Sequence, residues 1–174
     1  PSWGQALTNT RTGVGYVFGG LSPVGALNDL WEVHAADETE PLSMVHASFL
    51  APLAAQFSAL AVSGTRLYLF GGEIEGSAMS NAMFSYEMET GTWQSPTPTT
   101  AVLPAARRRH VLLRFGSKLV LFGGEDPTLG TLFGDLYMFH VQEGYWELIR
   151  EDGVLGTTAP CACMWGSILL VYGG

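Results

Sequence analysis

Four apolar runs that end in a glycine pair constrain this chain more than any other feature. They are Tyr16–Gly20 (YVFGG), Leu67–Gly72 (LYLFGG), Leu119–Gly124 (LVLFGG) and Leu169–Gly174 (LLVYGG). Their first glycines stand at 19, 71, 123 and 173, at intervals of 52, 52 and 50 residues. Recurrence at such a period marks a repeat architecture, in which each unit buries its apolar face only against the next. The runs are too short for helices and rich in Val, Leu, Tyr and Phe, which suits strands buried on both faces. A glycine pair lets the backbone take positive φ, or pass close to a neighbour, as it leaves the sheet. Gly19, Gly20, Gly71, Gly72, Gly123, Gly124, Gly173 and Gly174 are therefore read as structural marks of the repeat.

The repeat divides the chain into units of approximately 1–50, 51–104, 105–156 and 157–174. The first unit predicts an inner strand around Gln5–Thr10 and a turn at Thr12–Gly15. A second strand over Tyr16–Phe18 and a loop over Leu21–Leu27 follow. A third strand lies near Asn28–Val33, a turn at Ala36–Thr39, and a fourth strand around Leu42–Val45. The second and third units repeat this order, with Glu73–Ser80 and Glu125–Phe133 as loops. Trp93 and Trp146 each stand seven residues after an aromatic, Tyr86 or Phe139, so they are read as matching packing anchors between units. One stretch resists: residues 41–65 carry no formal charge, and Leu50, Leu53, Ala54, Phe57, Leu60 and Ala61 recur at helical spacing. Uncharged length of about 20 residues is what a bilayer requires, but Pro52, Gln56 and several serines argue against a span. The repeat phase asks instead for a strand from about Gln56 to Val62, and a helical insertion stays open beside it.

Composition bounds the function. Apolar residues make up 47% of the chain and charged residues 14%, which describes a strand-rich protein with a large buried fraction and not a disordered one. A net charge of −8 argues against a general nucleic-acid binder, which needs basic surface to displace counterions. The only cysteines, Cys161 and Cys163, stand at i and i+2. Neighbouring positions on one strand do not suit a disulfide, so the pair reads as two small packed residues in a reducing, cytoplasmic setting. No basic-then-apolar leader opens the sequence, which reads as beginning inside a larger protein.

Taken together, the unit is an apolar strand, Gly-Gly, a variable loop, Asn or Asp with Leu and an aromatic, a Gly turn, and Trp. Arg107-x-x-His110 then precedes the next strand pair. This pattern resembles the kelch repeat over essentially the whole chain, and its period near 52 is similar to kelch proteins outside the BTB group. The resemblance implies an all-β fold, a kelch-type β-propeller with three four-stranded blades plus the first two strands of a fourth. Such a ring is incomplete, so the remaining blades are expected from a missing part of the chain or from another chain. At the phase of Arg107 and His110 the second unit has Ala55 and Ser58, and the fourth has Thr157 and Pro160, so neither carries that polar pair.

No catalytic constellation stands out. His34, His46, His110 and His140 form no metal-ligand pair, no nucleophile elbow or phosphate loop is present, and neither metal nor cofactor is expected. Glu73, Glu75, Glu125 and Asp126 fall after glycine pairs and read as solvated loop carboxylates. The one concentration of charge is Arg107, Arg108 and Arg109, with Arg114 and Lys118 behind them, five of the eight basic residues. Clustering of one sign can steer an acidic partner. By the resemblance, the Arg that opens the inner strand lies near the channel mouth, where some members grip peptides. Arg107, Arg108 and Arg109 are thus candidate partner-binding residues, with Arg107 the best placed for bidentate contact with a carboxylate. The other reading makes Arg108 and Arg109 a solvated strand start and His110 a hydrogen-bonded core residue.

The functional expectation is a non-enzymatic protein–protein interaction scaffold or adaptor. Its partner would be a protein, with an acidic segment, and neither nucleic acid nor membrane. The alternatives are a propeller enzyme of the sugar-oxidase or small-molecule-processing type, and a structural cytoskeletal or ciliary component.

Overall fold

The computed structural model describes residues 6–9, 13–34, 43–48, 51–99, 101–151 and 156–174. Three four-stranded antiparallel sheets follow one another along the chain. The first holds β1 (Ala6–Asn9), β2 (Val14–Ser22), β3 (Gly25–His34) and β4 (Ser43–Ser48) in sequential order. The second holds β5 (Ala59–Ser63), β6 (Arg66–Phe70), β7 (Met83–Glu87) and β8 (Thr92–Gln94). The third opens with β9 (Val111–Phe115) and β10 (Lys118–Phe122), then makes a small side hairpin of β11 (Glu125–Asp126) and β12 (Thr131–Leu132). It closes with β13 (Leu136–His140) and β14 (Tyr145–Arg150). A two-stranded sheet, β15 (Cys161–Trp165) and β16 (Ile168–Tyr172), ends the chain.

The first hairpin of sheets two and three and of the last pair closes on two residues, between Ser63 and Arg66, Phe115 and Lys118, and Trp165 and Ile168. In each the first turn residue is a glycine at φ near +60° (Gly64, Gly116, Gly166), the geometry that matches the twist of the flanking strands.

The apolar runs of β6 and β10 are buried on both faces because their sheets lie between two others. The run in β16, expected to be buried likewise, is largely exposed at Ile168, Leu170, Val171 and Tyr172, with no described sheet on its far side. Alternate residues of β5 and β6 go opposite ways: Leu60, Val62, Leu67 and Leu69 join Phe18 and Leu30 of the first sheet in one cluster. Ala59, Ala61, Tyr68 and Phe70 join Leu112, Leu119, Leu121 and Phe139 of the third in another. Two-residue periodicity produces this split. Trp146 is buried in the second cluster with its ring 5.2 Å from Phe70 of the preceding sheet and 5.0 Å from Phe139 of its own. Trp93 is half-buried, 5.9 Å from Phe18 of the preceding sheet, and its Nε1–H donates to Ser48 Oγ.

Several sequence expectations are corrected. The loop expected over Leu21–Leu27 is mostly strand: β2 runs on through Gly19 and Gly20 with a register shift, pairs Leu21 with Ala26, and turns only at Pro23 and Val24. Ser22 holds that turn, accepting from Val24 N–H and donating to the Gly25 carbonyl. Across 41–65, β4 and β5 replace any helical insertion among the described residues, and no described helix is long and apolar enough to cross a membrane. Cys161 and Cys163 are free and exposed, on the alternating side of β15 that carries Trp165. The turn expected at Ala36–Thr39 lies outside the described residues.

The glycine pairs owe their identity to close backbone approach as well as to positive φ. A Cβ at Gly19 would sit 2.5 Å from the Ala55 carbonyl oxygen, and one at Gly71 2.7 Å from that of Arg107. A Cβ at Gly72 would lie 2.9 Å from the Ser58 side chain, and one at Gly124 2.8 Å from that of His110. Gly64 and Gly116 share the positive φ but have nothing within 4 Å, so the two costs separate. Gly71→Ala is expected to destabilise by about 3–5 kcal/mol in a urea titration, whereas Gly116→Ala costs about 1–2 kcal/mol, the strain alone.

Candidate functional site

Three equivalent tripeptides, 55–57, 107–109 and 157–159, lead into the inner strands β5, β9 and β15. The first residue of each faces backwards. The carbonyls of Ala55, Arg107 and Thr157 accept from the second glycine of the preceding unit (Gly20, Gly72, Gly124) at 2.8–3.0 Å, while their N–H groups donate to Leu27, Ser80 and Phe133. The second residue bonds within its own unit, Gln56 to Glu73 and Arg108 to Glu125, in both directions. The third residue takes left-handed φ: Phe57 at 56°, Arg109 at 55° and Ala159 at 53°. These three are chained across units, Arg109 N–H donating to the Phe57 carbonyl and Ala159 N–H to the Arg109 carbonyl, both at 2.9 Å.

That frame decides what each arginine can do. Arg107 is fully buried. Its guanidinium donates twice to the Asp135 carboxylate, at 2.5 and 2.8 Å, and also to the carbonyls of Gly123 and Ala105, while stacking 3.9 Å over Phe133. Arg107, expected at the mouth to grip a carboxylate, is spent on one inside the fold and has no surface to offer. Further chain or a bound partner would only bury it more.

Arg108 is nearly as enclosed, its side chain 18% exposed and paired with both Glu73 and Glu125. Burial works against its charge, but the two carboxylates outweigh it and raise its pKa. Glu73 is itself buried, so it and Glu125 are not the solvated loop carboxylates that their place after Gly-Gly predicts. Asp126 is buried too, holding the turn of the side hairpin through Thr128 N–H.

Arg109 is the one arginine of the three that reaches outward, at 36% side-chain exposure. It lies 4.5 Å over the Phe57 ring and 3.4 Å from the Glu125 carboxylate. The triplet is therefore matched by Asp135, Glu73 and Glu125 and presents no uncompensated positive field. Sequence order made the arginines look like a cluster of one sign; their carboxylates stand 28, 35 and 17 residues away along the chain.

His110 fills the space that two glycines leave, with its Cε1 against Gly71 and its Cβ against Gly124. It is buried, as expected of a core residue, its ring edge-on to Phe70 at 5.4 Å, and the Phe70 backbone offers its ring only a weak, poorly aligned hydrogen bond. Burial first, and then the charge of Arg107, push its pKa down to about 3; the nearby Phe70 carbonyl pulls weakly the other way. Among the described residues, no group of three or more His, Cys, Asp or Glu side chains is placed to hold a metal ion.

The sequence matches the KLHDC2/KLHL20/DRC7 Kelch-repeats domain over residues 4–174. The chain belongs to the kelch-repeat family. Among its relatives, the Rho GTPase-activating protein gacHH of Dictyostelium discoideum is 31% identical over 130 residues, 71% of this chain and 8% of that protein. Human Kelch domain-containing protein 3 is 27% identical over 128 residues, 68% of this chain and 33% of that protein. This kelch chain thus spans a third or less of either relative. The solved structure of YjhT matches with a TM-score of 0.76 at 15% identity, covering 98% of this chain and 58% of that one, a likeness of fold. The architecture is a kelch-type β-propeller, with three four-stranded blades and the first two strands of a fourth.

In the kelch frame, the segments after Gly-Gly are structured excursions on the same side as the tripeptides. Unit one has the Pro23–Val24 hairpin tip, unit two a short 3-10 turn at Glu75–Ser77, and unit three the β11–β12 hairpin. Val24 and Leu129 stand out at their tips, 93% and 75% exposed.

Two outcomes follow for stability. Asp135→Ala leaves the Arg107 charge buried without its carboxylate and is expected to cost about 3–5 kcal/mol by denaturant titration. His110 is neutral in the fold, while an unfolded histidine takes up its proton below about pH 6.5. Stability is thus fully present above pH 6.5, falls by up to about 1.4 kcal/mol per pH unit as pH drops towards 3, and levels off below. His110→Phe is expected to flatten that part of the pH profile.

Proposed function

We propose that this chain is a protein-interaction module, an adaptor or scaffold, that engages a segment of a partner protein on the surface carrying Phe57, Arg109 and the excursions after Gly-Gly. Membership of the kelch-repeat family supports the interaction role, since such domains are commonly interaction modules. The observation that carries the choice of surface is Arg109. It is the outward-reaching member of the triplet, its backbone is fixed by bonds to two neighbouring units, and its guanidinium is levelled on an aromatic ring. A rigid cationic donor on an aromatic platform suits recognition of a carboxylate or carbonyl at little cost in lost side-chain freedom. Val24 and Leu129 supply apolar contacts on the tips of side-chain-held turns.

The partner chemistry is narrower than simple charge attraction. Because Arg107 and Arg108 are neutralised internally and Arg109 lies 3.4 Å from Glu125, recognition rests on contact and not on long-range steering, and an acidic residue or carbonyl of the partner shares Arg109 with Glu125. The free cysteines fit a reducing, cytoplasmic setting. Selection of peptides from a displayed random library against the full-length protein tests the surface. Arg109→Ala is expected to weaken selected peptides tenfold or more, about 1.4 kcal/mol, while Arg114→Ala, across the sheet, leaves them within twofold. Peptides that bind Arg109→Ala as tightly as the native protein, with the fold intact, would overturn the assignment.

A further inference from the structure

Arg109 does not meet a partner as a bare cation. Its Nη1 lies 3.4 Å from Glu125 Oε1, and the same oxygen accepts from Arg108 Nε at 2.9 Å. Arg108 also meets the Glu73 carboxylate, and Arg107 is taken up by Asp135. Three guanidinium charges are matched one for one by three carboxylates, so this group holds no charge in reserve for a fourth. A carboxylate brought to Arg109 would give up its water and come to rest beside Glu125. Loss of hydration and a like charge alongside both oppose such binding.

The pair offers a neutral guest more than it offers an ion. A guanidinium carries five N–H donors, and one carboxylate cannot occupy them all. Both arginines approach Glu125 most closely at Oε1, which leaves Oε2 outside both closest contacts. Donor and acceptor thus stand side by side, and each is held. Arg109 lies 4.5 Å over the Phe57 ring on a backbone bonded to Phe57 and Ala159, and Glu125 is tied to Arg108 by backbone bonds in both directions. A primary carboxamide matches such a pair, because its carbonyl accepts and its adjacent NH2 donates in one plane. A trans peptide group sends its carbonyl and N–H opposite ways and cannot meet both. An ionised carboxylate has no donor to give Glu125.

We infer that the Arg109–Glu125 pair reads an Asn or Gln side chain of the partner, whose carbonyl accepts from Arg109 while its amide N–H donates to Glu125. The inference rests on the partner surface proposed above and chooses between the two acceptors named there, in favour of the uncharged one. Glu125 is then the residue that sets specificity, since it supplies the acceptor and turns Asp and Glu away.

The probes are peptides selected from a displayed random library on the full-length protein. Alanine replacements along each peptide, measured against the native protein and Arg109→Ala, locate the peptide position coupled to Arg109. That residue is expected to be Asn or Gln, and its replacement by Asp or Glu, respectively, to weaken binding to the native protein tenfold or more. In Glu125→Gln the Arg109 charge is no longer matched, so this preference for carboxamide over carboxylate is expected to shrink tenfold or to reverse. A purely structural loss would weaken both peptides alike. If Glu125→Gln does not fold, the peptide replacements on the native protein decide. Coupling to Arg109 through Asp or Glu, or through no side chain, or an unchanged preference in folded Glu125→Gln, would overturn the carboxamide reading and leave the partner surface standing. Peptides indifferent to Arg109→Ala would overturn both.

Discussion

Among the bonds that fasten each blade of this propeller to the next, the tightest backbone approach recurs at one carbonyl group, that of residue 55, 107 or 157, which accepts the N–H of the preceding unit's second glycine. The bond is possible only where the two backbones nearly touch, and they nearly touch only where no Cβ intervenes. Much else depends on this contact. It sets the distance at which Trp146 meets Phe70 and brings the start of each inner strand up against the end of the previous unit's second strand. Burial of Leu, Val and Phe supplies most of the stabilisation, but it is nondirectional. The glycine contact gives that burial its register from one blade to the next.

Much of this was legible in the sequence, for physical reasons that can be traced. Period, strand type and the special role of the glycine pairs follow from local chemistry repeated along the chain, so the residues themselves carry the signal. The strand reading of the uncharged stretch after Pro41 also rested on phase, and it held because Leu60 and Val62 face one sheet while Ala59 and Ala61 face another. A segment buried on both sides loses its polar–apolar alternation, and its apolar residues then fall by chance at helical spacing. The loop expected over Leu21–Leu27 went astray for a different reason. Gly19 and Gly20 bend β2 without ending it, and a register shift absorbs the bend.

The site was read less well, because its decisive contacts join distant parts of the chain. Three adjacent arginines look like one patch when only their neighbours in sequence are visible. Their carboxylates come from the segments after two different glycine pairs and from Asp135, just before β13, and the topology alone brings them together. What was visible was the separate phase of Arg107 and His110. The structure gives both to the interior, one saturated with hydrogen bonds and the other held chiefly by packing against Gly71, Gly124 and Phe70. Arg109 was given less weight than Arg107 in the sequence. The signal that could have raised it is the register it shares with Phe57 and Ala159.

That register has a consequence for how the surface of such a protein can be rewritten. Phe57, Arg109 and Ala159 hold nearly the same left-handed backbone although their side chains share no chemistry. The conformation is imposed by bonds from neighbouring units, so its strain is carried by the frame whatever side chain is mounted there. An aromatic, a cation and a methyl group occupy one geometric socket in a single chain. Each socket can change its side chain without disturbing the glycine contact beside it, so the affinity of the mouth can vary while the ring that presents it stays the same.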